Sequence, residues 1–344
     1  MVERWNDYWG GGPAIQRVEF KIISDAVVAY QVFKKGDIDA MDVGTWTYAM
    51  KSRGENFDQH FYKLVFDRPG YGYIGWNCRR SFFSDYRCRQ AMSHLVDASA
   101  ICAHVGMGIL KPVTGPFYYK EPAYDSSLPV YEYNIEEASR LLGEAGWLDR
   151  DGDGVREKDL DGDGIISDGP LGGDPNLREK FIFDFIITAN PDTPNSPVML
   201  SLLQNCPKVG IICNARMIEW ALFLQWTRES NFDASYSGWV FGFEADPYDL
   251  FHSSQIADGF NRIGFSDPSV DKMIEEARRE LDKPKRTEMF QEIHRTLYRL
   301  QPYTFMIGNS NPWVLNRRVK NVNVYNLGFD FLEWELEGHE QLAP

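Results

Sequence analysis

The apolar period of this chain switches repeatedly between two and 3.6, with turn residues at the switches, and this constrains the fold more than any other feature. Residues 14–24 (AIQRVEFKIIS) alternate as a strand does. Residues 25–43 (DAVVAYQVFKKGDIDAMDV) then run at helical spacing to Gly36 and return to a short strand around 38–43. Strand, helix, glycine turn, strand is an α/β signal. The pattern continues with a strand at 70–77 (GYGYIGWN), then a long helix (YRCRQAMSHLVDASAICAHVG) capped by Ser84-Asp85 and ending at Gly106. Pro- and Gly-rich loops fill 111–130. A helix over 134–146 is capped by Asn134 and closed by Gly146. A strand at 180–188, a helix near 196–206 and the strand GIICNARMI come next. Two amphipathic helices (269–283 and 285–300) lead into a strand at 302–310. With 344 residues, two or so domains are expected.

Charge removes one class of partner. A net charge of −14 repels a phosphate backbone over most of the surface, so nucleic acid is not expected. Glu3, Arg4, Asp7, Arg17, Glu19 and Lys21 interrupt any apolar targeting segment, and no run reaches membrane-span length. The sequence as it stands reads as soluble and without an export signal. The five cysteines show no CxxC. On one continuous helix Cys88 and Cys102 would lie roughly 21 Å apart, too far to bridge. Cys206 and Cys213 flank a helix-to-strand turn, where either a disulfide or two buried thiols would fit.

The aromatic load is high, at 10 Trp, 17 Tyr and 22 Phe, and points to a lined pocket. The candidate is a β-like run over 232–240 that delivers Gly238, Trp239 and Val240 into a loop carrying Phe241, Phe243, Glu244 and Asp246, with Trp220 nineteen positions before Trp239. Glycine permits close backbone approach, rings supply apolar contact, and carboxylates supply direction. Such a segment suits an extended ligand. The competing reading makes both tryptophans ordinary core residues.

Residues 149–170 hold two Asp-x-Asp-x-Asp-Gly repeats: Asp149, Asp151, Asp153 with Gly154, and Asp159, Asp161, Asp163 with Gly164. Carboxylates at loop positions 1, 3 and 5 with Gly at 6 suit a Ca²⁺ loop, with the Val155 carbonyl at position 7. Position 12, where a bidentate Glu belongs, is Leu160 in one copy and Pro170 in the other. Weak Ca²⁺ binding, or a solvated turn without metal, follows from that departure. No other cofactor is expected. The six histidines form no metal spacing, and neither a GxSxG elbow nor a phosphate-binding loop occurs, so no enzyme is read here.

Several segments, in order, resemble the family 5 extracellular solute-binding proteins, the oligopeptide- and dipeptide-binding components of ABC importers. ERWNDYWGGG resembles their Arg-Asn-x-x-Tyr-Trp segment, and KKGDIDA their Gly-Glu/Asp-Ile-Asp turn. FFSDYRCRQAMSHLVDASAI resembles the helix carrying, here, Arg87, Arg89, Gln90, Ala91, Asp97 and Ile101. EEASRLLGEAGW and DPSVDKMIEEA match two later helices. The resemblance implies an α/β fold of the two-lobed periplasmic-binding-protein type (type II), with lobe I incomplete because relatives are longer at the N-terminus. Residues 1–76 and 306–344 would belong to lobe I, and 77–305 would form lobe II. It further implies a monomer outside the cytoplasmic membrane, periplasmic or extracellular, membrane-anchored if the missing N-terminus carries a lipid. That monomer would capture a peptide-like ligand in an aromatic inter-lobe cleft and deliver it to an ABC permease. Oligosaccharides are the second ligand class, and a Ca²⁺-dependent surface module is the competing function. In peptide-binding relatives an Asp three residues after the Gly-Trp tryptophan pairs with the peptide ammonium. Here that position is Gly242, with Glu244 and Asp246 as substitutes.

Overall fold

A computed structural model describes residues 1–5, 7–10, 12–159, 178–189, 196–242, 246–325 and 328–337. Its principal elements in chain order are helix α1 (Ala26–Lys34), strands β1 (Ala40–Asp42) and β2 (Phe61–Trp76), and helices α2 (Tyr86–Ser93) and α3 (Ile135–Glu144). Strands β3 (Glu157–Asp159), β4 (Arg178–Lys180) and β5 (Ile182–Thr188), helix α4 (Pro197–Asn205), strand β6 (Ile212–Ile218) and helix α5 (Trp220–Arg228) follow. Strand β7 (Ala234–Val240), helices α6 (Pro268–Arg279) and α7 (Lys283–Leu300), and strand β8 (Tyr303–Asn316) complete the set.

The chain divides into two compact units. One comprises residues 1–69, 102–111 and 309–344; the other comprises 70–101 and 112–308. Strands β2 and β8 contribute residues to both.

The smaller unit buries Tyr30 and Phe33 of α1 with Phe57, Phe61 and Val314. A second cluster holds Leu315, Val319 and Trp334. Asp25 starts α1, its carboxylate accepting from the Val27 and Val28 N–H groups at 2.8 and 2.9 Å. The expected strand over 14–24 shrinks to Arg17–Val18, paired with Val2–Glu3. Alternation alone does not make a strand: Phe20 and Ile22 are 62% and 98% exposed, and no described strand covers that face.

The larger unit is a sheet covered on both faces. Strand β7 runs antiparallel to β2 and parallel to β5, which runs parallel to β6. Side-chain alternation sends Ile74, Trp76, Phe183, Phe185 and Ile187 into a core completed by α2, α3 and α4. Tyr71, Tyr73 and Ile186 enter the core built with α5, α6 and α7. Asn134 caps α3 by accepting from the Glu137 N–H at 2.9 Å, and the helix buries Ala138, Leu141 and Leu142 at helical spacing. Asn134→Ala is expected to cost about 1 kcal/mol of stability, read from the denaturant midpoint of chemical unfolding; no shift would show that the cap is idle.

The long helix expected from Tyr86 to Gly106 is broken after Ser93. Its would-be ladder carbonyls are taken elsewhere: His94 C=O accepts from Asn134 N–H at 3.0 Å, and Leu95 C=O accepts from the Asn205 amide at 2.8 Å. Asp97 then caps a new turn through Ala100 N–H at 2.8 Å. Cys88 and Cys102 are therefore not on one helix. All five cysteines are free thiols, Cys206 and Cys213 included, and burial pushes the Cys206 thiol well up. Among the described residues no helix is long and apolar enough to cross a membrane.

Candidate functional site

Strand β7 changes neighbours along its length. Ala234, Ser235 and Tyr236 lie between β2 and β5, level with Phe185, Ile186 and Ile187 of the parallel strand. From Ser237 to Val240 it keeps β2 and pairs with no second described strand, β5 stopping at Thr188. Such an edge presents backbone groups that an extended chain can pair with.

Trp239 is half-buried on this segment. Its ring lies parallel to Tyr73, with centroids 6.2 Å apart at 5°, and meets the edge of Phe260 at 5.8 Å. Tyr73 stacks in turn on Tyr303 at 3.9 Å. Burial pushes the Tyr303 phenol up to about 12 and also raises Tyr71 and Tyr73, so this bed stays uncharged around neutral pH. Phe241 follows, its centroid 5.6 Å from Tyr71. On the opposite sheet face Gly238 lies across from Gly72. A Cβ at Gly72 would come within 2.8 Å of the Tyr236 hydroxyl, and one at Gly238 within 3.3 Å of the Tyr71 carbonyl. The glycine pair keeps the two backbones bare there, while Val240 is exposed.

Trp220 opens α5 two residues after β6 ends, and Ile218 of β6 is level with Thr188 of β5. Trp239 on β7 and the end of β6 that leads to Trp220 therefore lie on either side of β5, two strand spacings or roughly 10 Å apart. Trp220 is 56% exposed and stacks on buried Phe223 at 5.7 Å and 10°, leaving ring surface to solvent. In open α/β sheets ligands gather outside the carboxyl ends of parallel strands, where both tryptophans sit.

Phe241 and Asp246 come together in a pocket of about 50 Å³ with Pro116, Phe117, Pro247 and Leu250. Asp246 is already engaged: it ion-pairs with Arg278 at 2.9 Å and accepts from the Tyr248 N–H at 2.9 Å. Arg278 also lies over the Tyr248 ring, 4.0 Å from its centroid. A peptide ammonium would have to compete with that guanidinium. Phe243 and Glu244 lie outside the described residues. Tyr71, Tyr73 and Phe260 pack against Phe241 and Trp239 without being among the residues the sequence points to. The Gly-Tyr alternation of GYGYIGWN could have revealed the tyrosine face, whereas Phe260 carries no local signal.

At the acidic loop, Asp149, Asp151, Asp153 and Glu157 each place one carboxylate oxygen within 4.8 Å of the others. This cluster can hold a metal. Glu157, absent from the expected ligand set, stands at loop position 9. Asp159 is on β3 opposite Arg178 and outside the cluster; Asp161 and Asp163 lie beyond the described residues.

Residues 1–261 match the bacterial extracellular solute-binding proteins, family 5 middle. The oligopeptide-binding protein AppA of Bacillus subtilis is 30% identical over 316 residues, covering 90% of this chain and 54% of AppA. The dipeptide-binding protein of Escherichia coli is 23% identical over 336 residues, covering 94% and 56%. The chain thus spans about half the length of these curated relatives. The solved structure of AppA with a nonapeptide superposes with a TM-score of 0.80 at 26% identity, covering 98% of this chain and 63% of that one. NikZ of Campylobacter jejuni, solved with Ni(L-His), gives 0.76 at 21% identity over 96% and 64%, a likeness of fold. The fold is accordingly that of the periplasmic binding proteins, and the chain belongs to the family 5 bacterial extracellular solute-binding proteins.

Proposed function

We propose that this chain is part of the substrate-binding subunit of an ABC importer, working outside the cytoplasmic membrane and handing a peptide-like ligand to a permease. The larger unit corresponds to lobe II of that subunit and the smaller to lobe I, with the subunit acting as a monomer that binds without transforming its cargo. The observation that carries the reading is the edge of β7 from Ser237 to Val240, which no second described strand pairs with, carrying Trp239, together with the exposed ring of Trp220 just beyond the end of β6. An extended peptide can add to that edge by backbone hydrogen bonds, with rings on either side receiving its side chains. That two relatives are oligopeptide- and dipeptide-binding proteins supports the same choice.

Gly242 stands where relatives place the ammonium-pairing Asp, and Asp246 is held by Arg278. Recognition should then rest on the peptide backbone and not on a free amine. Titration calorimetry of the complete protein with peptides of two to nine residues tests this, using free and N-acetylated forms. N-acetylated peptides are expected to bind at least as tightly as free-amine ones. Tight binding lost on acetylation would overturn the backbone reading, and no binding of any peptide would overturn the ligand class. The flat, exposed face of Trp220 favours neutral oligosaccharides as the second ligand class, so these belong in the same titration.

A further inference from the structure

We infer that the loop from Asp149 to Glu157 is a single Ca²⁺ site, completed by Glu157 at loop position 9 and not by a glutamate at position 12. The spacing admits a single ion. Oxygens bound to calcium at about 2.4 Å lie on a sphere that separates them by at most about 4.8 Å. The carboxylates of Asp149, Asp151, Asp153 and Glu157 fall within that limit.

Glu157 supplies the independent argument. It is 1% exposed, and its Oε1 accepts from Arg150 N–H at 3.0 Å, yet Oε2 is buried with no hydrogen-bond partner. A buried carboxylate oxygen left unmatched is costly. A cation bound by the three aspartates beside it removes that cost. The glutamate is held there by the sheet: Leu148 and Glu157 bond each other's backbones at 3.0 and 2.9 Å, and Glu157 begins β3 opposite Lys180.

The loop backbone is already folded around the aspartates. Asp149 accepts from Gly152 N–H and Gly154 N–H at 2.9 and 3.0 Å, Asp151 from Asp153 N–H at 3.1 Å, and Asp153 from Val155 N–H at 2.9 Å. Lys180 is the cation now facing the cluster, 3.3 Å from Asp151 and bonded to Asp153. Of the four negative charges of these carboxylates the ammonium offsets one, and a divalent ion in its place offsets two. Lys180 is 39% exposed and can turn to water when calcium enters, so it acts as the built-in competitor. Arg156, also close by, is committed to the Val209 and Trp147 carbonyls and the Ser139 hydroxyl. This inference stands apart from ligand capture, which involves none of these residues.

Calorimetric titration of the chelator-treated complete protein with calcium chloride is the test. One saturable site per chain is expected, with a Kd of about 10⁻⁴–10⁻³ M, the range of extracellular calcium modules. Asp151→Asn, an exposed change that leaves the fold intact, is expected to weaken binding at least about tenfold. Glu157→Gln should do the same, and Lys180→Met should tighten binding several-fold by removing the competitor. Absence of saturable heat at about 10 mM calcium would overturn the inference. So would binding that is unchanged in Asp151→Asn, because the ion would then sit elsewhere.

Discussion

Trp239→Ala is expected to weaken ligand binding by about 1–3 kcal/mol, the scale of losing one aromatic anchor. The ring is half-buried, parallel to Tyr73 and edge-on to Phe260, so truncation removes contact surface and leaves both neighbours less constrained. The backbone of β7 continues to pair with β2 through the Trp239–Tyr71 register, so the fold should survive the change. Calorimetry of the variant and parent with the same peptide checks it, alongside circular dichroism to show that the sheet persists. A Kd within about twofold of the parent, in a folded variant, would assign Trp239 to the core alone and remove it from the site. Trp220→Ala tests the other flank; its ring is 56% exposed and, among the described residues, stacks on Phe223 alone, so the fold should notice its loss little.

Acidification from pH 7 to pH 4 is expected to cost the folded chain about 3 kcal/mol through His294 alone. This histidine is fully buried. Its Nδ1 accepts from the Asp125 N–H at 3.0 Å, so the neutral tautomer carries its proton on Nε2, 3.2 Å from the Thr114 hydroxyl. Burial holds its pKa down to about 4, against a slight upward push from Thr114 and Asp125. Around it stand the Tyr124 and Phe117 rings, Asp125 and Arg295, and the latter two pair at 2.7 Å. The backbone at Gly115 presses so close that an added Cβ would fall 2.0 Å from the ring.

The sign follows from proton counting. Between pH 6.5 and about 4 the unfolded histidine binds a proton that the folded one does not, so stability is complete above 6.5 and falls until about pH 4. Asp125 adds a separate loss at lower pH: its bonds to Ser127 and Arg295 hold it to about 2. Chemical unfolding at successive pH values, with parent and His294→Gln compared, isolates the histidine. The parent should lose stability more steeply between pH 6.5 and 4 than the variant. Equal slopes would mean that His294 is not buried neutral in the folded chain.

In the helix motif that resembles the family, the polar side chains hold the frame. Asp85 accepts from Arg87 N–H at 2.8 Å and so starts α2. Buried Arg89 donates to the carbonyls of Phe83, Ser84, Leu300 and Gln301, and so ties off the end of α7. Gln90 reaches the Arg299 carbonyl and Asp97 caps the turn after α2. These residues are legible because a cap demands a few side-chain types at a set spacing. None of them touches the aromatic edge.

By itself the sequence determined the α/β class, most helices and strands, the glycine-tryptophan run at 238–239 and the acidic loop. Each rests on local periodicity or local turn chemistry, which neighbours in the chain suffice to encode. Only the tertiary structure decided the rest. It broke the helix after Ser93, because Asn134 and Asn205 capture carbonyls that only folding brings near. It withheld a full strand from 14–24, because alternation needs a partner to bury its apolar face. It committed Asp246 to Arg278, thirty-two residues away, and set Tyr73 and Phe260 against Trp239. It brought Glu157, at loop position 9, beside Asp149, Asp151 and Asp153, since the pairing of β3 with β4 and not the loop's spacing places that carboxylate. Ion pairs, ring stacks and carbonyl capture between distant residues depend on which strands become neighbours, and no local pattern carries that information.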